Sequence, residues 1–476
     1  MSPRHPLAAL LAAALLAASF PAPLIALDRS TSLVISAEEP PPSPPPPPPP
    51  PPINASDDLA AIDYTLDATA DIAYADRRVT LTETITLTNG GAVPFNAITL
   101  LHFPRAVGAW RDQSVSVGGV SVTPTYPTDL AMTLPIDPPL DPTATTTIEL
   151  RGVIDLRNST DTMGRLGTKG RFIGLGSWLA LPGRSVARNT IGDPVSAPTA
   201  SLMRLTVRTD VAMKSAAVQG SGTATLLPDI SGTEWRFELA DARAAAVGIN
   251  PDFVQARATE AVSGVTIIAT SPSSSRASAL LNDTKSALAS YATWFGPAPY
   301  SRLRVVETGI LGNSQEFSGL IFIGANATTP ASQRTYLVRH EAAHQWWFGL
   351  SANDQLRAPW ADEAFAEFAA RLKAGTNPSS CSTKKIDLAP DAYGRFSGAC
   401  GAYFESVYLR GTRMLFAVRA KIGQAKLLGC LRTHIQANRF AETTGPGLAD
   451  VLEACDPTVR AVISPYLSST TLDPAP

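Results

Sequence analysis

The run His340-Glu341-Ala342-Ala343-His344 constrains what this chain can fold into more than any other feature. Residues four apart share one face of an α-helix, so a helix here aims both imidazoles at one point, with Glu341 beside them. In an extended segment the two rings would part. The chain has only five histidines, so this spacing carries weight. Two imidazoles do not complete a catalytic metal site, which takes three protein ligands and keeps a fourth position open. Glu363 follows nineteen residues after His344, inside a second helical pattern, and is the candidate third ligand. Glu367, one turn further on, has two readings, an orienting partner for a metal-bound histidine or a solvated helix charge. Its residue type favours the solvated charge. His102 and His434 have no companions and receive no role.

The surroundings of this pair repeat the message. His340-Glu-Ala-Ala-His-Gln-Trp-Trp-Phe-Gly349, Asn353-Asp354-Gln355 and Trp360-Ala-Asp-Glu363-Ala-Phe-Ala-Glu367 together resemble the aminopeptidase N-type family of zinc metallopeptidases, the gluzincins. The resemblance covers nearly all of the chain after a proline-rich linker. It implies about one Zn2+ per chain, held by His340, His344 and Glu363, with Glu341 as the general base that moves the proton of an attacking water. Glu316, in Asn313-Ser-Gln-Glu316-Phe, precedes His340 by twenty-four residues and stands where the family has its amine-binding Gly-x-Met-Glu-Asn loop. Tyr408-Leu-Arg-Gly411 stands where the family has Tyr-x-Lys-Gly, whose tyrosine assists catalysis. Tyr403 is the fallback for that role. Asn313, Ser314 and Gln315 depart from the family's small and methionine positions, which leaves subsite shape open.

The resemblance thus implies an enzyme that removes N-terminal residues from peptides with a free N-terminus. Two rivals remain: a zinc endopeptidase with a similar site, and a catalytically silent surface-binding protein. Long family members continue into a helical repeat domain over the active site. This chain ends soon after Cys455, so the resemblance implies a short form with a more open cleft.

The rest of the chain divides by composition. Arg4 and His5 precede an Ala/Leu run from Leu7 to Ala18, and Ala17-Ala18-Ser19 is a small-residue cleavage site, the pattern of a secretory signal. Apolar character continues to Leu27, so residues 1–27 read as a cleaved signal or an uncleaved anchor. Either reading predicts export, to the outside or to the outer face of the cell membrane, with a tether through this segment in the second case. Residues 28–56 form a linker; Pro40 to Pro52, broken only by Ser43, predicts an extended polyproline spacer of roughly 40 Å at ~3.1 Å per residue. A hydrophobic content of 45% and a formal charge of −2 fit a globular chain. Nothing in that balance points to nucleic acid or anionic lipid as a partner.

The expected fold class is α+β. Residues 57–258 alternate with period two: Ile62, Tyr64, Leu66, then Val79, Leu81, Ile85 and Leu87 against a threonine-rich face, with Asn89-Gly90-Gly91 as a turn. Further strands are expected around 98–103, 145–154, 202–211 and 235–239. This predicts a β-sandwich, the saddle-like domain of the family. Trp178 reads as a core residue rather than part of an interface. Residues 259–470 change character and predict a thermolysin-like mixed α/β and helical catalytic domain. Strands are expected at 265–270 and 303–307, and an amphipathic helix over 275–295 closed by Gly296. The metal helix is expected to run from an N-cap at Thr329 to about Phe348, and the helix carrying Glu363 to end near Gly375. All four cysteines lie in this half. In an exported chain they predict two disulfides with three possible pairings, of which sequence neighbours give Cys381–Cys400 and Cys430–Cys455.

Overall fold

The computed structural model describes residues 51–161, 164–186, 198–226, 233–311, 314–355, 357–387 and 397–473. The expected signal or anchor segment, most of the linker and Asn313 lie outside the described residues. Among the described residues, no helix is long and apolar enough to cross a membrane.

Period two becomes sheet. Ile62–Ala73 and Arg78–Asn89 pair antiparallel along their whole length, from Ile62 opposite Asn89 to Ala73 opposite Arg78. Tyr64, Leu66, Ala68, Ala70 and Ile72 point inward and are buried, while the intervening aspartates and threonines face out. These two strands sit at the centre of an eight-stranded sheet. Ala200–Thr209 joins it parallel to Ile62–Ala73, and Thr145–Asp155 joins it antiparallel to Arg78–Asn89. Two four-stranded sheets complete this half. One is built on Phe95–Leu101 and Ala131–Leu140, the other on Val247–Ile249 and Phe172–Leu175. Trp178 is fully buried, and its indole N–H donates to the Ala245 carbonyl at 3.1 Å.

The second half is organised on a five-stranded sheet, in the order Val254–Thr259, Thr266–Ser271, Arg302–Glu307, Leu320–Ile323, Gln315–Phe317. Residue 258, where the sequence suggests a division, falls inside the first of these strands. The last strand is a sheet edge, paired antiparallel with its neighbour so that Glu316 lies opposite Ile321. Gly319 makes the tight return with φ +69°, a conformation that side chains disfavour. The long helix Ser274–Phe295 packs on this sheet and ends at Gly296, φ 90°. Ala331–Ala343 and Trp360–Ala374 pack against each other beyond it, the second closed by Gly375 in the left-handed conformation.

The metal helix corrects the expected boundaries at both ends. It begins after Pro330, which is extended, and has no side-chain cap. The Thr329 hydroxyl accepts instead from the Asn326 N–H at 3.0 Å, closing the preceding loop. It ends at His344, and residues 345–350 form an irregular turn.

The described residues, from 51 to 473, fall in one compact unit. The first half's apolar interior takes in Val306, Phe317, Leu320, Phe322 and Phe348 from the second. The disulfides are Cys381–Cys400 and Cys430–Cys455, the sequence-neighbour pairing.

Candidate metal centre and active site

His340 and His344 lie at the C-terminal end of their helix, and Glu363 in the first turn of the facing one. All three are buried. His340 Nε2 and His344 Nε2 are 3.2 Å apart, and Glu363 Oε2 lies 3.2 Å from the first and 3.4 Å from the second. A tetrahedral zinc with bonds near 2.0–2.1 Å needs its ligand atoms about 3.3 Å from one another. The triangle fits that requirement.

The far side of each ring is also held. His344 Nδ1 lies 3.0 Å from the Trp347 carbonyl, which can only accept, so Nδ1 carries a proton, and it is Nε2 whose lone pair is available to a metal once the ring is neutral. His340 Nδ1 meets Glu367 Oε2 at 3.2 Å. Glu367 is fully buried, receives the Tyr336 hydroxyl at 2.7 Å and pairs with Arg371. This corrects the expectation of a solvated helix charge. Metal-binding histidines are usually oriented by such a carboxylate. The signal available in sequence was the spacing, since Glu367 is one turn from Glu363 and so on the same face.

Charge in this pocket is balanced by proximity. Burial opposes a proton on His340, but its bonds to Glu363 and Glu367 prevail and raise it to about 9. Burial likewise opposes a proton on His344, yet Glu316, Glu363 and Glu341 push it well above the usual range. For Glu363, burial favours the neutral acid, and the two imidazoles overcome it, holding the carboxyl down at about 2. The carboxylates thus make a pocket suited to positive charge, which a divalent cation would satisfy as well as protons do.

A second cluster adjoins the first. Ligand atoms of Glu316, Glu341 and His344 lie within 4.8 Å of one another, all three residues buried. Glu316 is on the edge strand rather than in a loop. Tyr408 lies in a π-helical stretch, Phe404–Arg410, that runs into the helix Gly411–Ile422. Such widened turns often occur at functional sites. Its ring stacks on His340, centroids 5.5 Å apart and planes 16° apart. Tyr403 meets Tyr408 edge-on at 5.8 Å.

The Asn353-Asp354-Gln355 segment supports the site. The Gln355 amide donates to Asp362 Oδ2 at 2.8 Å, and Asp362 Oδ1 accepts from the Glu363 N–H at 2.6 Å. Asp354 pairs with Arg184 from the first half at 2.8 Å. The two histidines without a role lie elsewhere: His102 packs edge-on against Trp110, and His434 bonds Thr443 at 3.2 Å.

No protein-family model and no curated protein matches the sequence. Solved structures do match the fold. The M1 zinc metallopeptidase of Deinococcus radiodurans superposes with a TM-score of 0.58 at 18% identity, over 86% of this chain and 94% of its own. A mutant of it bound to the substrate Tyr-Ser-Ala gives 0.59 at 17%, over 86% and 95%. A two-domain M1 zinc metallopeptidase mutant bound to L-arginine gives 0.57 at 19%, over 85% and 94%. The fold of this chain is that of the two-domain M1 zinc metallopeptidases.

Proposed function

We propose that this chain is a zinc-dependent aminopeptidase that removes N-terminal residues from peptides. The observation that carries the reading is the pairing of two buried clusters: a ligand triangle sized for zinc, and Glu316 with Glu341 beside it. Zinc at that triangle would supply Lewis acidity and lower the pKa of a water. Glu341 would take the proton of the attacking water and return it to the departing amine. The Tyr408 hydroxyl donates to the oxyanion that develops at the scissile carbonyl. Two buried carboxylates this close favour positive charge beside them, and a substrate's α-ammonium at Glu316 supplies it. Fixing the amine there restricts cleavage to the first peptide bond. The edge strand Gln315–Phe317 offers the backbone of an extended peptide a place to add. Peptide and amino-acid complexes of the fold relatives are in keeping with such substrates. Export through the N-terminal segment would place the activity outside the cell or on its outer membrane face.

The test uses paired substrates, free-amine and N-acetylated. Wild type should cleave the first and scarcely touch the second. Glu316→Ala should lose roughly ten- to hundredfold in kcat/KM on free-amine substrates, the loss expected from a charge-assisted contact of ~1.5–3 kcal/mol, while keeping its zinc. Equal cleavage of both substrates, unchanged in Glu316→Ala, would instead make this an endopeptidase.

A further inference from the structure

Arg243 follows the strand Glu234–Ala242 of the first half, yet its buried side chain reaches into the second. Its Nε donates to the Phe348 carbonyl at 2.9 Å and its Nη2 to the Phe440 carbonyl at 2.7 Å. Its backbone N–H donates to the Ser318 hydroxyl at 3.1 Å, which anchors the base of the side chain.

Phe348 belongs to the turn that follows His344. Its backbone has φ 150° and ψ −63°, and Trp347 before it has φ −102° and ψ 69°. A phenylalanine does not adopt positive φ unless its surroundings impose it. The turn matters because the Trp347 carbonyl accepts from His344 Nδ1. A relaxed Phe348 would rotate the Trp347–Phe348 peptide and withdraw that carbonyl. Further bonds tie the same turn, from the Gly349 N–H to the His344 carbonyl at 2.8 Å and from the Phe440 N–H to the Leu350 carbonyl at 2.7 Å. Arg243 is the side chain that joins its strained residue to the neighbouring 440–441 segment.

We propose that Arg243 is a positioning residue for the metal centre: by holding the Phe348 carbonyl it keeps the Trp347 carbonyl on His344 Nδ1 and so keeps His344 Nε2 aimed at the ligand triangle. The inference rests on the metal reading above. It gives the first half of the chain a part in metal affinity through a residue outside the ligand triangle.

The experiment compares Arg243→Met with Arg304→Met in the full chain. Arg304 is also buried and also joins the halves, donating to Gln219 Oε1 at 2.6 Å and the Gly222 carbonyl at 3.3 Å, but among the described residues its side chain makes no hydrogen bond to the turn. Thermal midpoints report stability, competition with a chromophoric chelator reports zinc affinity, and the visible spectrum of the cobalt-substituted protein reports ligand geometry. Arg243→Met should bind zinc ten- to hundredfold more weakly, the usual effect of removing a group that orients a ligand, with an altered cobalt spectrum. Arg304→Met should lose stability while keeping wild-type affinity and spectrum. If Arg243→Met does not fold, Arg243→Lys, which keeps the charge and one carbonyl within reach, should show an intermediate loss of affinity. Wild-type affinity and spectrum in the Arg243 variant, or equal loss in both arginine variants, would overturn the inference and leave the metal reading standing. A wild-type chain that binds no zinc would overturn both.

Discussion

Glu341 and Glu363 are both buried carboxylates beside His344, yet their replacement should have different consequences. Glu363→Ala removes one corner of the triangle, so zinc content and activity should fall together. Glu341→Gln keeps the shape and the metal but removes the only proton acceptor proposed for the attacking water. Its zinc content by elemental analysis should match wild type while kcat falls at least a hundredfold. Wild-type turnover in Glu341→Gln would show that the base lies elsewhere. Glu367 makes a subtler case, since its bond to the metal site is to His340 Nδ1, on the far side of the ring from the ligand triangle. Glu367→Ala should weaken zinc binding ten- to hundredfold in a chelator competition. Tyr336→Phe, which leaves that carboxylate in place and removes one of its donors, should cost less.

At the scale of single elements, strand Arg78–Asn89 carries an anomaly. Glu83 occupies an inward position between Leu81 and Ile85 and is almost wholly buried. One oxygen accepts from the Ala180 N–H at 3.1 Å, while the other has no hydrogen-bond partner among the described residues. Burial outweighs the Ala180 bond and pushes its carboxyl up to about 8. The folded protein therefore retains a proton there that the unfolded chain has released above its ordinary value near ~4.3. Between those two values the unfolded state binds fewer protons, so this group's contribution to stability falls as pH rises, and levels off above about 8. Glu83→Gln should flatten that slope, raising the thermal midpoint more at pH 8 than at pH 5. An equal shift at both would exclude titration as the cause.

Elements of this kind also show where sequence is legible. Alternation gave the strands within a few residues, because an inward face and an outward face impose opposite chemistry on neighbouring positions. Gly296 and Gly375 marked helix ends because their backbone angles exclude most side chains. The His340, His344 and Glu363 set could be read because helix spacing alone brings the histidines together. The burial of Glu367, the Thr329 hydroxyl turned away from capping, and the early end of the metal helix depended on packing against distant segments. Local pattern holds no record of those partners. The role proposed for Arg243 is of the same kind, since it spans 105 residues to reach Phe348.

On the scale of the whole molecule, the question is whether the sheet-rich half and the metal-bearing half unfold separately. Val306, Phe317, Leu320, Phe322 and Phe348 of the second half are buried in the interior of the first, so separation would expose several large apolar side chains at ~1.5–3 kcal/mol each. Separation would also strand the Arg243 and Arg304 side chains, whose bonds described above cross between halves. Together these costs exceed what a domain of ordinary marginal stability can lose and stay folded. A single transition should therefore be seen, with tryptophan signals from both halves melting together. Zinc then becomes a probe of that coupling, because a ligand that binds only the native state stabilises whatever unfolds with its site. At free zinc about a hundred times its dissociation constant the gain is ~2.7 kcal/mol. In hydrogen exchange, amides of Ile62–Ala73 that open only by global unfolding should slow by roughly a hundredfold on adding zinc, as should those of Trp360–Ala374. Slowing confined to the helices around the metal would show two separately unfolding units and overturn the prediction.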